Sequence, residues 1–291
     1  MQKDRDHVSV SAPAAGIPIV LCADDYGIAP GVSRAIRDLI ARRVLTATGC
    51  MTAGSWWPEE GAALRPLAGL ADCGLHIALT DQPPLGAMPR TAPAGLLPRL
   101  GRLTAAAYTG RLDRGEIAAE IDRQIARFSA VMGVPPVFLD GHQHVHQLPV
   151  VRDVVIARAR AMGASLRYAT EPLPAILRRG VAVARAAAIS LMGAGLRRSG
   201  RAAGVAGNSV FRGVRDFSPG ESYPLLFPRY LERPVPGMMV ACHPGLVDDA
   251  LRAVDSVTAP REGEYRYFMD DAFARDLAAV GVRLVRGSEG R

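Results

Sequence analysis

Asp24 and Asp25 stand side by side after the apolar run 17–23, His76 lies in Gly74-Leu75-His76-Ile77, Asp140-Gly141-His142 follows the apolar run 137–139, and His243 follows the run 238–242. One carboxylate and two imidazoles form a ligand set for a hydrolytic divalent metal with positions left open. Asp25, His76 and His142 can supply it. Asp24 can take a proton from an attacking water, and His243 can return one to a leaving group. Each feature also has a plain structural explanation. Tandem aspartates after a strand can accept the free amide protons of the next helix. His76, between Leu75 and Ile77, can be a core histidine with its hydrogen bonds met, and His243 before Pro244-Gly245 can shape a turn. His142, His144 and His146 alternate, so an extended chain would set them on one face, while any one alone fits a surface loop. What these clusters share is position: each falls in or directly after a short apolar run.

The elements that must position them alternate along the chain. Apolar runs at 17–23, 46–52, 73–79, 137–139, 166–168, 238–242 and 283–285 read as strands. Between them, Val32, Ala35, Ile36, Leu39 and Ile40 show helical spacing after Pro30, and a helical stretch covers 59–67. Ile117, Ile121, Ile125 and Phe128 mark a long helix that Gly133 and Pro135 end. Another helix spans 149–162, residues 174–200 read as helical and arginine-studded, and one helix carries Phe268, Phe273 and Leu277. Segments 82–101 and 202–236 read as irregular. Nearly continuous apolar strands alternating with helices predict a parallel sheet covered on both faces. About seven such units without a linker favour an α/β fold of the distorted or incomplete (β/α) barrel kind. In a barrel the carboxyl ends of all strands open on one face, which gathers the four clusters.

Composition excludes several other classes. Charged residues at 22% and hydrophobic residues at 49% are ordinary for a globular protein and exclude disorder. Mean hydropathy is +0.11, but no run approaches the ~18 apolar residues of a membrane span. Residues 1–16 lack the basic start and apolar stretch of a signal peptide and read as a flexible leader to a single domain over 1–291. The expected location is therefore cytoplasmic. Cys22, Cys50, Cys73 and Cys242 are too far apart for a zinc ribbon or redox pair, so buried reduced thiols are expected. The net charge of +7 comes almost wholly from scattered arginines, Lys3 being the lone lysine. With aromatics at 5% there is no stacking platform for single strands, and nucleic acid is not an expected partner.

The motifs also match a known family. Ala23-Asp24-Asp25-Tyr26-Gly27 resembles the ADDFG opening of YdjC-like carbohydrate deacetylases, and Gly74-Leu75-His76-Ile77-Ala78-Leu79-Thr80 resembles their GLHxxLT segment. Leu139-Asp140-Gly141-His142-Gln143-His144-Val145-His146 resembles their LDSHHHxH run, Cys242-His243-Pro244-Gly245 their CHP motif, and Arg261 with Glu264 a later RxxE element. Order and approximate spacing agree from residue 17 to the end. Gly141 departs from the usual serine and Gln143 from the second histidine, and neither removes a ligand. The resemblance implies a distorted barrel of the NodB and YdjC type and a metal-dependent deacetylase of N-acetylated sugars. It implies metal ligands at His76 and His142 with Asp25 as the third, Asp24 as base and His243 as acid; which aspartate takes which role stays open. Asp140, His144, His146, Arg167 and Thr80 are the expected substrate contacts. Zinc suits the ligand set best, with magnesium, manganese, cobalt, nickel or iron(II) also compatible. Members are often homodimers.

Residues 173–220 differ most from the chitooligosaccharide enzymes and, with 221–230, look similar to the hopanoid-biosynthesis-associated branch of the family. That branch implies an N-acetylglucosaminyl hopanoid lipid as substrate. The segment is too short and interrupted to span a bilayer. It reads either as a helix packed on the barrel, forming an insertion over 173–236, or as a peripheral contact with an anionic membrane at its inner face. The competing functions are a chitooligosaccharide deacetylase acting on soluble sugars, a metal-dependent phosphoester hydrolase, and a sugar- or lipid-binding protein without activity. The phosphoester hydrolase calls for a second metal or an arginine clamp at the mouth. The binding protein would have dispensed with Asp24, His76, His142 or His243.

Overall fold

The structure is a computed structural model that describes residues 16–218 and 220–289. The flexible leader expected over 1–16 thus lies, apart from Gly16, outside the described residues. Eight strands form one sheet: β1 (Ile17–Tyr26), β2 (Ala47–Cys50), β3 (Asp72–Ile77), β4 (Phe138–Gly141), β5 (Ser165–Leu166), β6 (Phe211–Arg212), β7 (Met238–Cys242) and β8 (Val282–Leu284). Their order is β5-β4-β3-β2-β1-β7-β6, with β8 added to the start of β1, and every pairing is parallel. This is the expected α/β architecture, a curled and incomplete barrel.

The unbroken apolar character of β1 follows from two cores. Ile19, Leu21 and Ala23 pack among the helices, whereas Val20 and Cys22 join Ala47, Phe138, Phe211, Met239 and Ala241 in a second cluster inside the curl. A strand buried on both sides has no polar face to alternate with. The two ends of the sheet meet without a regular strand pair. Leu166 bridges Gly207, its amide donates to the Ala206 carbonyl at 2.9 Å, and the Tyr168 amide donates to the Asn208 side chain at 2.8 Å. A Cβ at Gly207 would lie 2.3 Å from the Leu166 carbonyl oxygen, so the seam closes only over glycine.

Several helices follow their sequence signals. Pro30 starts the helix Pro30–Ala41, and Asp113 caps Arg114–Met132, which Gly133 ends in the left-handed conformation. Others differ. Leu100–Tyr108 is helical where an irregular segment is expected to run to 101. The last predicted helix is two, Ala259–Phe268 and Asp271–Ala279, because the Asp270 side chain accepts the Ala272 amide and starts a new helix. The irregular stretch 202–236 contains β6 and the helix Tyr223–Tyr230. A two-residue strand carries no period of its own; β6 exists because Phe211 and Arg212 pair with Met239 and Val240.

The arginine-studded segment forms the helices Leu173–Arg179 and Val183–Ala202. Internal ion pairs lock it to the sheet. Glu171 is buried and holds Arg179 at 2.5 Å and Arg212 at 2.8 Å, while Arg212 also donates to the carbonyls of Tyr230 and Glu232. Arg197 donates to Thr170 and to the Ser209 carbonyl. Removing one partner from a buried pair strands the other charge in a dry site. Glu171→Gln is therefore expected to lower stability by about 3–5 kcal/mol, read as a shift of the urea unfolding midpoint; a loss near zero would mean that the pair does not anchor this segment.

Candidate active site

The site begins with an irregularity in β1. Along a regular strand, neighbouring side chains point to opposite faces, so Asp24 and Asp25 could not share one site. The pairing with β2 slips between Ala23 and Tyr26, where β1 carries one residue more than its partner, and Asp25 has φ +67°. This bulge turns Asp25 to the side that Asp24 already faces. Asp24 continues the inward set of Val20 and Cys22, while Asp25 comes within 2.9 Å of His142 Nδ1 and 3.4 Å of His76 Nε2.

One ligand atom from each of Asp25, His76 and His142 can be chosen so that all lie within 4.8 Å of one another. The surroundings suit a cation. His76 Nδ1 is 2.8 Å from Asp140 Oδ1, a contact that directs the other ring nitrogen, Nε2, at the cluster. A carboxylate behind a histidine in this way is the usual support of a metal-ligating imidazole. Asp24, Asp25 and Asp140 are all buried and outnumber the two buried guanidiniums that meet them, Arg167 and Arg261. Burial works against a charged His76, yet Asp140 and Asp24 prevail and raise it to about 10. A divalent ion here would take the place of that proton, so loading should release protons. The donor set and its charge deficit both fit a metal ion.

A second group, Asp24, His76 and Asp140, is equally tight, but its cation is already built in. Arg167 grips Asp24 with two nitrogens, at 2.5 and 2.6 Å, and lies 2.7 Å from Asp140 Oδ2. Burial would raise the Asp24 carboxyl, but Arg167 and then His76 hold it well below the ordinary range. Asp25 is likewise held low against burial, by Arg261 and His142. His243 stands on the other side, its Nε2 3.9 Å from Asp24 Oδ2, and burial lowers its pKa. The site thus sets an anionic carboxylate beside an imidazole whose neutral form is favoured.

These groups open into a cavity of about 480 Å³, a size ordinary for small-molecule substrates. Asp24, Asp25, His76, His142 and His243 all line it. Of the five expected substrate contacts, His144 lines it and the other four do not. Asp140 and Arg167 lie underneath as ion-pair partners, His146 is buried with Nε2 3.0 Å from the Arg167 carbonyl, and Thr80 is buried. The three alternating histidines do not share a face either. Gln143 and His144 have φ of +51° and +61°, and this turn sends His142 to Asp25 and His76, His144 against Phe211 and His146 inward. Gly141 is required by the same packing, since a Cβ there would lie 2.9 Å from the His146 amide nitrogen.

Sequence reasoning missed much of the wall. Arg185, Ile189 and Met192 come from the helix Val183–Ala202, and Phe211, Val214 and Phe217 from the stretch expected to be irregular. Arg261, which the resemblance singles out together with Glu264, lines the cavity and binds Asp25 at 2.6 Å. All four cysteines are free and buried, as expected. Among the described residues no helix is long and apolar enough to cross a membrane.

A family model described as "YdjC-like protein" matches residues 18–279. The chain belongs to this family. Chitooligosaccharide deacetylases of Serratia marcescens and Yersinia pestis (strain Pestoides F) are 36% and 37% identical to it over 154 and 150 residues. Those matches cover 53% and 51% of this chain, and the chain spans 60% and 58% of the relatives' lengths. Among solved structures, a protein of Enterococcus faecalis V583 provisionally named for cellobiose-phosphate cleavage superposes with a TM-score of 0.74 at 19% identity, over 94% of this YdjC-like chain and 99% of that one. A family 4 acetyl xylan esterase from Clostridium thermocellum, solved with cobalt, gives 0.50 at 11% identity over 94% and 89%. At such identities the likeness is one of fold.

Arg167 is the residue on which the site's charges rest. Arg167→Met leaves Asp24 and Asp140 buried without it, and stability should fall by about 3–5 kcal/mol. Asp24, held low in the native state, contributes stability that is present above its unfolded pKa and lost as pH falls through its folded one. The deficit of the variant should accordingly be largest near neutral pH and shrink towards acid, as measured by urea unfolding across pH. An equal deficit at all pH values would contradict this account.

Proposed function

We propose that this YdjC-like chain, acting as a single deacetylase domain over 1–291, hydrolyses the N-acetyl group of an N-acetylated amino sugar, giving acetate and a free amine. The observation that carries the reading is the pair Asp24 and His243, 3.9 Å apart, beside the ligand cluster of Asp25, His76 and His142. The names of the deacetylase relatives support the substrate class. Asp25, His76 and His142 would hold a divalent ion, with zinc the best match, which when bound would supply Lewis acidity at the amide carbonyl. Asp24, kept anionic by Arg167, accepts a proton from the attacking water. The proton that Asp24 takes up passes to the neighbouring His243 and from there to the departing nitrogen, without which the amine is a poor leaving group. A phosphoester hydrolase with two metals is less well supported, because Arg167 occupies the second acidic group.

Product mass spectrometry on a panel of N-acetylglucosaminides tests this directly, with loss of one acetyl mass expected. Asp24→Asn should keep metal binding and lower turnover by ~10²–10⁴-fold, the scale of a positioned proton-transfer group. His76→Ala or His142→Ala should lose the metal. Near-normal turnover in Asp24→Asn would remove the base assignment, and metal loss in that variant would exchange the roles of Asp24 and Asp25.

A lipid-linked substrate, such as an N-acetylglucosaminyl hopanoid at an anionic membrane surface, is supported by one further observation. Residues 172–215 contain eight arginines and no acidic residue. Leu173, Leu177 and Leu191 are exposed on the helices that also bring Ile189 and Met192 to the cavity. Arg179, Arg197, Arg212 and Arg215 are engaged internally and Arg185 pairs with Asp216 beside the cavity, so Arg178, Arg198 and Arg201 are the basic groups left to meet headgroups. Sedimentation with anionic liposomes should weaken with salt and in Arg178→Gln/Arg198→Gln/Arg201→Gln. Absence of binding at low salt, together with faster turnover of soluble chitooligosaccharides, would leave the soluble-sugar reading.

A further inference from the structure

We propose that Arg261 and Glu264, one turn apart on the helix Ala259–Phe268, are positioning residues that set the carboxylate at the end of β1 against the imidazole at the end of β7. The inference rests on the deacetylase reading for the meaning of those two groups. Residues three apart lie on the same helix face, and here that face meets the carboxyl ends of two neighbouring strands.

The Arg261 arm acts on Asp25. The Asp25 side chain leaves a left-handed backbone at the bulge, where the pleat of the strand no longer directs it. Its Oδ1 faces His142 and His76, and its Oδ2 lies 2.6 Å from Arg261 Nη2. Arg261 thereby occupies one oxygen and presents the other as a single donor atom. Arg261 is itself fixed: Nη2 also reaches Asp255 at 2.6 Å, and Nε donates to the Val257 carbonyl at 3.0 Å.

The Glu264 arm acts on His243 through the backbone. Glu264 is fully buried; its Oε2 accepts the His243 amide at 2.6 Å and its Oε1 binds Arg215 at 2.7 Å. Two residues on, the Gly245 amide donates to the Arg261 carbonyl at 3.1 Å. The turn carrying His243 therefore rests on the same helical turn that holds Asp25. Any shift of this helix moves both groups together, which preserves the geometry between them.

The test uses the full-length protein and two readouts that need no substrate. By calorimetric titration with zinc, Arg261→Met should bind the ion ~10–100-fold more weakly, the usual effect of losing a residue that orients a ligand. Arg261→Lys, which keeps the positive charge on a shorter side chain, should recover part of that loss. By amide hydrogen exchange, Glu264→Asp, one methylene too short, should unprotect the His243 amide while zinc affinity stays at the wild-type value. Glu264→Gln keeps an acceptor within reach of the His243 amide and should retain more of that protection than Glu264→Asp, although it weakens the pair with Arg215 and so lowers overall stability. Where the wild type deacetylates a sugar, Glu264→Asp should lower kcat by roughly 10–100-fold at unchanged KM, the cost of a misplaced group. Unchanged or tighter zinc binding in Arg261→Met, or full His243 protection in Glu264→Asp, overturns the proposal. An inactive wild type with both substrate-free results intact would instead overturn the deacetylase reading.

Discussion

A carboxylate removed from water must be met by positive charge, and in this protein three of them converge at the mouth of one barrel. Asp24, Asp25 and Asp140 are each nearly inaccessible to solvent, and unpaired burial of even one would cost more than a small domain can tolerate. Arg167 meets two of them and Arg261 the third. The positions of β5, of the helix Ala259–Phe268 and of the strand ends between them all follow from bringing those guanidiniums to those carboxylates. The residual negative charge draws the proton onto His76 and makes the same place attractive to a divalent ion.

This balance also gives different surroundings to two adjacent, chemically identical side chains. Asp24 is held from below by a bidentate guanidinium and keeps its carboxylate face near His243. Asp25 gives one oxygen to Arg261 and the other to the imidazoles. Backbone strain accompanies the arrangement: Asp25, Gln143 and His144 all adopt left-handed conformations that cost on the order of 1 kcal/mol or more each. Such conformations persist where surrounding contacts over-determine them; for Asp25 those contacts are its ion pairs with Arg261, His142 and His76.

The arginine-rich helices extend the site rather than decorate the barrel. Glu171 anchors the first of them through Arg179 and ties β6 to the same point through Arg212. The inner side of the second adds apolar wall to a cavity whose floor is charged. Its outer side leaves leucine and arginine to solvent, so the cavity wall and a basic apolar surface are two faces of one helix.

Much of the fold was legible in the residues themselves. Apolar runs and helical spacing located most strands because burial on both faces leaves a composition signal that needs no partner. The chemical residues were legible for a related reason: Asp24, Asp25, His76, His142 and His243 each follow or sit in such a run, and parallel strands open on one face. Sequence could not show the bulge that lets Asp24 and Asp25 share a site, since its extra residue is defined only against β2. Nor could it show that Asp140, His146 and Arg167 lie beneath the site, because depth depends on what packs above. Strand β6 and the seam at Gly207 exist only through their partners. Residue types and spacing therefore determined which groups could do the chemistry, while pairing register and buried charge, which are properties of segments far apart in the chain, decided how those groups face one another.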